Sequence, residues 1–77
     1  MEKELLEIIN TVLANRGKPI LSKLNPNSLL KNEIGFDSLD LAELTVRIEV
    51  EFGIDVFEDG IVLTVAEILA RINNSNL

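Results

Sequence analysis

Hydrophobic residues recur at helical spacing in three segments of the chain. In the first segment, residues 2 to about 15, apolar positions three and four apart define one face of an amphipathic helix: Leu5, Ile8, Ile9, Val12 and Leu13. Gly17 and then Pro19 follow this segment, and a glycine that can adopt the left-handed conformation, with a proline beyond it, is a common helix end. The pattern predicts a helix that packs on the core and ends near residue 15.

The second segment, residues 38 to about 52, carries two apolar stripes. At about 100° per residue, one stripe falls within a narrow sector, which is the expected core face: Leu41, Leu44, Ile48 and Phe52. The other stripe recurs every four residues: Ala42, Val46 and Val50. This second stripe either meets another core element or remains exposed beside Asp40, Glu43 and Glu49 as a surface for a partner.

The third segment begins at Thr64, and Glu67 three residues later completes the sequence signature of a capping box. Apolar positions then continue to about Ile72 or Asn73, which predicts a short closing helix: Val65, Ile68, Leu69 and Ile72. The three segments together predict an all-α fold for a single domain over residues 1–77. We expect a small antiparallel bundle of three main helices plus a short irregular helical turn.

The connection over residues 17–36 is long and rich in the turn residues Gly, Pro, Asn and Ser. A structureless connection of this length is unusual in a small domain. We therefore expect it to pack against the helices and to form one short helical turn from Pro26 to about Lys31.

The composition adds mainly exclusions. Of the 77 residues, 47% are hydrophobic and only 4% are aromatic, so the core must be aliphatic. Thirteen acidic and seven basic residues give a net charge of -6, which disfavours nucleic acid because that binding needs Lys and Arg. The same charge favours a basic protein partner.

Candidate catalytic chemistry is sparse. The chain contains no cysteine and no histidine, which excludes disulfides, thiolate chemistry and cysteine metal sites. A calcium loop that starts at Asp37 fails because Leu39 and Leu41 stand where oxygen ligands are needed. We therefore expect neither an enzyme nor a metal site. The acidic N-terminus and the lack of an apolar run of about 18 residues predict no signal peptide and no membrane span, and hence a cytoplasmic protein.

The start of the second helix holds the candidate site. Asp37 directly precedes the apolar pattern and is the predicted N-cap, which places Ser38 in the first turn, facing solvent. Unpaired N–H groups and the macrodipole make that end electropositive, and they would favour an anion attached to Ser38 by ~0.3–1 kcal/mol. Asp37 and Asp40 are also typical of a helix start without function, and taken alone these residues favour that simpler interpretation.

A longer stretch is more specific. Residues 35–44, GFDSLDLAEL, continued by residues 47–56, RIEVEFGIDV, and residues 63–68, LTVAEI, resemble the acyl carrier protein family. The resemblance implies an acyl carrier protein-like fold in which a phosphopantetheinyl transferase attaches 4′-phosphopantetheine from coenzyme A covalently to Ser38. The thiol of this arm would carry acyl thioesters, which suits a chain without cysteine.

The resemblance also implies a recognition surface on the second helix. The expected partner-binding residues are Asp37, Leu39, Asp40, Glu43, Val46, Glu49 and Glu58. The acids would meet basic surface patches of the transferase and of acyl-loading and acyl-processing enzymes, with the carrier as a monomer. Two positions depart from the family: Val50 stands where another acid is common, and Arg47 adds a positive charge. The segment before Thr64 is also shorter than in the family, so the third element around Glu58 is expected to be a single turn or irregular.

Two classes of function remain open. In the first, the chain carries acyl groups in fatty acid, polyketide, or specialised lipid or metabolite biosynthesis, and Asp37 before Ser38 is more typical of acyl carriers than of peptidyl carriers. In the second, the chain is an acidic helical adaptor that is never modified and binds a basic partner through Ala42, Val46 and Val50. Transfer of a group from coenzyme A to Ser38 would distinguish the two classes.

Overall fold

The computed structural model describes residues 2–58, 60 and 62–75, without the side chain of Ser75. Three α-helices span Glu2–Asn15 (α1), Ser38–Phe52 (α2) and Val65–Ser75 (α3), and a π-helical turn spans Leu30–Ile34. The predicted all-α fold is confirmed, and the predicted bounds of α1 and α2 agree with the structure. Helix α3 continues two or three residues beyond its predicted end.

The core is aliphatic apart from one buried phenylalanine, as the composition predicted. Its buried members come from every helix and from the connections: Leu5, Ile9, Val12, Leu13, Leu30, Phe36, Leu44, Ile48, Val56, Val62, Val65, Ile68 and Ile72. Leu41 and Phe52, which the pattern assigned to the core face of α2, pack against its edge and are partly buried. The three stripes predicted from helical spacing therefore meet in one cluster.

The end of α1 turns the chain back toward the start of α2. Gly17 has a φ of 68°, its N–H donates to the Ala14 carbonyl at 3.0 Å, and the Lys18 N–H donates to the Leu13 carbonyl at 2.9 Å. These two bonds form a Schellman motif, in which a left-handed residue satisfies the last carbonyl groups of a helix. The motif directs the residues on either side of Gly17 away from the α1 axis.

The helical turn predicted over residues 26–31 is in the wrong place. Pro26 and Ser28 use their backbone carbonyls to accept hydrogen bonds from the start of α3, from the N–H of Ala66 at 2.9 Å and of Val65 at 3.2 Å. Leu29 pairs with Thr64 in an isolated antiparallel bridge. Residues 26 and 27 form a single turn, in which the Ser28 N–H donates to the Asn25 carbonyl at 3.0 Å. The bonds to α3 stop this turn from continuing as a helix, and the helical turn forms only afterwards, over Leu30–Ile34.

The segment between α2 and α3 contains the short irregular turn that was predicted. The Glu58 N–H donates to the Asp55 carbonyl at 3.2 Å, and Arg71 of α3 donates through Nη1 to the Val56 carbonyl at 2.7 Å. Val56 is buried beneath this turn. The prediction for this element also included residues 59 and 61, which lie outside the described residues.

The predicted capping box of α3 is present in a modified form. The Thr64 hydroxyl accepts a hydrogen bond from the Glu67 N–H at 3.2 Å, as the N-cap prediction required. The same hydroxyl donates to the Glu67 carboxylate at 3.2 Å. The Glu67 carboxylate therefore binds the side chain of Thr64. In the standard capping box it would instead accept a hydrogen bond from the backbone N–H of the N-cap residue.

Candidate functional site

Ser38 is the first residue of α2, and its exposure agrees with the prediction. Asp37 caps the helix: its Oδ1 accepts a hydrogen bond from the Asp40 N–H at 2.9 Å. In return, Asp40 Oδ2 accepts one from the Asp37 N–H at 3.1 Å. This reciprocal box satisfies two backbone donors and is typically worth ~1 kcal/mol for the N-cap bond alone. It fixes the backbone on both sides of the serine.

Asp40 does not lie on the partner surface, and that prediction was wrong. The residue is 0% exposed, because its role in the capping box turns the side chain back toward the start of the helix. Lys18 Nζ donates to Asp40 Oδ2 at 2.6 Å, and Arg16 Nε lies 3.2 Å from Oδ1. Within the described part of the chain, Oδ1 itself accepts no hydrogen bond.

The electrostatics of this buried carboxylate are set by the two cations. The hydrogen bond from Lys18 lowers the pKa of Asp40 from its ordinary value of 3.8, while burial opposes this effect and the N–H of Asp37 and the charge of Arg16 support it. Asp40 therefore stays ionised at neutral pH. The Asp40 carboxylate is buried, and the side chains of Lys18 and Arg16 that pair with it are partly exposed.

Arg16 and Lys18 also contact other groups at the start of α2. Arg16 Nη2 donates to Asp37 Oδ2 at 3.2 Å, and Lys18 Nζ donates to the Gly35 carbonyl at 2.8 Å. Sequence reasoning missed both residues. Their only local signal is a basic pair on either side of Gly17, and nothing in that pair indicates contacts with residues more than 15 positions away. We call Arg16, Lys18, Asp37 and Asp40 the ionic clasp.

An open depression lies beside Ser38. It has a volume of about 430 Å³ and is lined by Ser38, Leu41, Ala42, Thr45, Asp55 and Phe57. Its floor is largely apolar, and Thr45 and Asp55 bring polar groups. A phosphate ester on an exposed serine at a helix N-terminus is favoured electrostatically, and a flexible arm has room to lie along this depression. The residues present therefore fit a covalently attached phosphopantetheine group.

The second apolar stripe of α2 is exposed, so the alternative in which it packs on a core element is excluded. Val46 is 61% exposed and Val50 is 83% exposed, and Ala42 is also exposed. Leu39, next to the candidate serine, is 68% exposed. These four apolar side chains are thus exposed on one helix, and an exposed apolar patch of this kind is typical of a protein interaction surface.

The acids expected on the partner surface have different environments. Glu49 and Glu58 are exposed. Glu43 accepts hydrogen bonds from Arg47 Nε at 2.8 Å and from Asn15 Nδ2 at 3.1 Å. The Arg47 bond, supported by Asn15, lowers the pKa of Glu43 from its ordinary value. Among these acids, Glu58 is outside α2, in the turn whose Phe57 lines the Ser38 depression.

Within residues 2–58, 60 and 62–75, no group of three or more Asp and Glu side chains is placed to hold a metal ion. None of the helices in this part of the chain combines the length and the apolar character needed to cross a bilayer.

Comparison with known proteins first defines the class. The family model described as the phosphopantetheine attachment site matches residues 3–72, a range that contains Ser38 and the three-helix core. The fold, the exposed serine and this match define a carrier whose cofactor is 4′-phosphopantetheine.

Three relatives then show which family of phosphopantetheine carriers the chain resembles. The chain is 32% identical to the acyl carrier protein of Buchnera aphidicola subsp. Schizaphis graminum, over 99% of this chain and 94% of that protein. It is 31% identical to the acyl carrier protein of Nitratidesulfovibrio vulgaris, over 88% and 92%. It is 33% identical to acyl carrier protein 2, mitochondrial, of Arabidopsis thaliana, over 71% of this chain and 44% of that protein. The chain belongs to the acyl carrier protein family.

The family assignment has one further consequence. Acyl carrier proteins are carriers and not enzymes, so the comparisons confirm the prediction that this chain is not itself an enzyme. No solved structure matches the chain significantly.

Proposed function

We propose that Ser38 carries the 4′-phosphopantetheine arm, and that the arm delivers acyl thioesters between enzymes of fatty acid, polyketide, or specialised lipid or metabolite biosynthesis. The observation that supports this most strongly is the position of Ser38, which is exposed at the first residue of a capped helix. The matched family residues include this position. Within this proposal the chain is a single carrier domain.

Ser38 acts as the substrate of the attachment step. Its Oγ forms a bond to the phosphorus that bears the pantetheine of coenzyme A, the bond between the two phosphates breaks, and adenosine 3′,5′-bisphosphate leaves. The hydroxyl proton passes to a base of the phosphopantetheinyl transferase. When bound, the arm supplies the thiol that this cysteine-free chain lacks. Tethering then raises the effective concentration of the acyl group at successive enzymes.

The ionic clasp makes the site compatible with a phosphodiester. Two carboxylates in the first turn, Asp37 and Asp40, would oppose a further negative charge at Ser38. Arg16 and Lys18 lie within 3.2 Å of these carboxylates and offset their charge. The helix terminus then contributes its ~0.3–1 kcal/mol in favour of the anion.

The partners that we propose are the phosphopantetheinyl transferase and acyl-loading and acyl-processing enzymes with basic surface patches. Their contact residues would be Asp37, Leu39, Glu43, Val46, Glu49 and Glu58. Asp40 is buried and would act only indirectly, through its hydrogen bond with the Asp37 backbone. Exposed acids steer basic partners and fix their orientation. We further propose that the carrier is a monomer, that it binds no nucleic acid, and that it acts in the cytoplasm, as its bacterial relatives suggest.

The test is intact mass after incubation with coenzyme A and a broad-specificity phosphopantetheinyl transferase. Wild type should gain one phosphopantetheinyl group, and Ser38→Ala should gain none. Ser22→Ala, which changes another exposed serine in a loop, should be modified like wild type. No modification with several transferases would instead support the adaptor hypothesis.

A further inference from the structure

Besides the serine itself, the polar side chains that line the depression beside Ser38 present hydrogen-bond acceptors. The Thr45 hydroxyl already donates its proton to the Leu41 carbonyl at 2.8 Å, so its oxygen is left as an acceptor. An ionised carboxylate only accepts, and Oδ1 of Asp55 binds the Phe57 N–H at 2.9 Å, which leaves Oδ2 for other donors. Among the described residues that line the depression, Asp55 carries the only charge. A group bound there is therefore stabilised if it brings hydrogen-bond donors.

The depression begins at the proposed attachment point and follows α2. Ser38, Leu41 and Thr45 are three and four residues apart and share one face of the helix, so Thr45 lies about 10 Å along the axis from Ser38. Asp55 and Phe57 line the depression from the turn after α2. Its volume of about 430 Å³ is in the range of small-molecule sites. Because an arm on Ser38 would be tethered beside it, a short acyl group would reach the depression at high effective concentration.

Leu41 and Phe57 separate the depression from a second cavity, because both residues line both spaces. The second cavity has a volume of about 460 Å³ and reaches Leu30 and Val62 in the core. Phe57 packs against the core, and the carbonyl of the residue before it accepts a hydrogen bond from Arg71 Nη1 at 2.7 Å. The partition is therefore anchored. A long aliphatic chain that starts in the depression would have to displace it to enter the second cavity.

We propose that the acyl group on the arm is short and carries a hydrogen-bond donor, an ammonium or a hydroxyl, which binds Asp55 and Thr45 in the depression. The proposal rests on the proposed function, because it assumes that the arm is attached to Ser38. An ammonium is favoured over a hydroxyl, since hydrogen bonds between charged groups are stronger than neutral ones. A plain aliphatic group of the same length makes apolar contacts and leaves both acceptors to water.

The experiment loads the carrier with three acyl groups of equal length, from their coenzyme A thioesters and a broad-specificity transferase. The groups are β-alanyl, 3-hydroxypropionyl and butyryl, which end in an ammonium, a hydroxyl and a methyl group. Binding in the depression is measured by the change in the amide NMR shifts of Thr45, Asp55 and Phe57 relative to the carrier with an unacylated arm. The ratio of bound to free group should be about threefold higher for β-alanyl than for butyryl, as expected for an exposed ion pair, with 3-hydroxypropionyl between them.

A second measurement is the pKa of the β-alanyl amine, followed by NMR of a ¹⁵N-labelled group. A neighbouring carboxylate favours the ammonium, so this pKa should be about 0.5 higher in wild type than in Asp55→Asn. The Asn side chain keeps an oxygen for the Phe57 N–H and removes the charge. Glu51→Gln is the matched control, because it removes an exposed acid of α2 that does not line the depression, and it should leave the pKa within about 0.1 of wild type. Circular dichroism identifies any variant that does not fold, and Thr45→Val, which removes the other acceptor, provides a second substitution.

Three outcomes would overturn the proposal. If butyryl changes the three amide shifts as much as β-alanyl does, donors are not recognised. If Asp55→Asn leaves the pKa of the amine unchanged, the ammonium lies elsewhere. If an octanoyl group changes the amide shifts of Leu30 and Val62, a long chain crosses the partition and the carrier is not limited to short groups. A wild-type carrier that gains no group from any of these thioesters is a different result, because it rejects the proposed function and this proposal with it.

Discussion

The two ends of α2 are held in different ways. At the start, Asp37 and Asp40 exchange hydrogen bonds with each other's backbone, and Arg16 and Lys18 bind their carboxylates from more than 20 residues away. At the end, Gly53 has a φ of 74° and donates one backbone hydrogen bond to Glu49 at 2.8 Å.

The more extensively bonded end of α2 is the one that carries the candidate serine. The end of α2 that presents Ser38 is cross-linked to the α1 terminus, so its geometry depends on the whole fold. The cap at the other end is formed by the local backbone conformation of Gly53, while Phe52 packs against the core. Substitutions at the two ends should therefore differ in cost and in their effect on modification.

Loss of Lys18 should have the largest effect. Lys18→Met leaves the Asp40 carboxylate buried without its 2.6 Å hydrogen bond, and removing one partner of a buried ion pair typically costs 3–5 kcal/mol. Because Lys18 is partly exposed and Arg16 remains, we expect a loss of about 3 kcal/mol in the free energy of unfolding, measured by urea denaturation.

The matched control is Lys23→Met, which changes an exposed lysine in the same connection and should alter stability by less than about 0.5 kcal/mol. Equal stability of the two variants would show that the ionic clasp does not hold the start of α2.

Acid should weaken the ionic clasp at the start of α2. The folded-state pKa of Asp40 is lowered, chiefly by the Lys18 hydrogen bond. A group with a lowered pKa contributes stability that is complete above its unfolded value and is lost as pH falls through the folded value. The free energy of unfolding should therefore fall below about pH 3.8, the ordinary pKa.

Asp40→Asn is the comparison for this acid effect, because an amide has no proton to gain. Its stability should be lower than that of wild type at neutral pH, and the gap should narrow at acid pH. Urea midpoints between neutral pH and about pH 2.5 measure this gap. A gap that is constant over this range would contradict the assignment.

Substitution at the other end of α2 should cost less. Gly53→Ala forces a residue with a Cβ into the left-handed region, at a cost of about 1 kcal/mol. No atom lies within 4 Å of the added Cβ, so the cost is conformational and not steric. The rate of Ser38 modification should remain at the wild-type value. Gly53→Asn should recover part of the stability, since Asn tolerates this conformation better.

The smallest effect is expected in the middle of α2. Arg47→Gln removes a partly exposed pair between residues four apart on a helix, and such helix pairs are typically worth about 0.3–0.5 kcal/mol. Thermal unfolding in low and in high salt measures it, and high salt should reduce the difference between variant and wild type. A loss above about 1 kcal/mol would mean that Glu43 and Asn15 contribute to the fold as the ionic clasp does.

The contrast between local and long-range contacts also explains how much of the fold and of the site could be predicted from the sequence. Local patterns were sufficient for α1, α2 and α3, for the Asp37 cap and for the exposure of Ser38, since each depends on residues within a few positions. The burial of Asp40 could not be predicted, because it depends on Arg16 and Lys18, which only the folded chain brings close. The helical turn in the first connection was misplaced for a similar reason: α3 binds the carbonyls of Pro26 and Ser28.

The attachment of the arm to Ser38 is tested most directly by locating the added group. Wild type is incubated with coenzyme A and transferase, digested, and sequenced by tandem mass spectrometry. The phosphopantetheinyl group should be found on Ser38 and on none of the other three serines, Ser22, Ser28 and Ser75. A group located on another residue, or protein that remains unmodified by every transferase tried, would contradict the assignment.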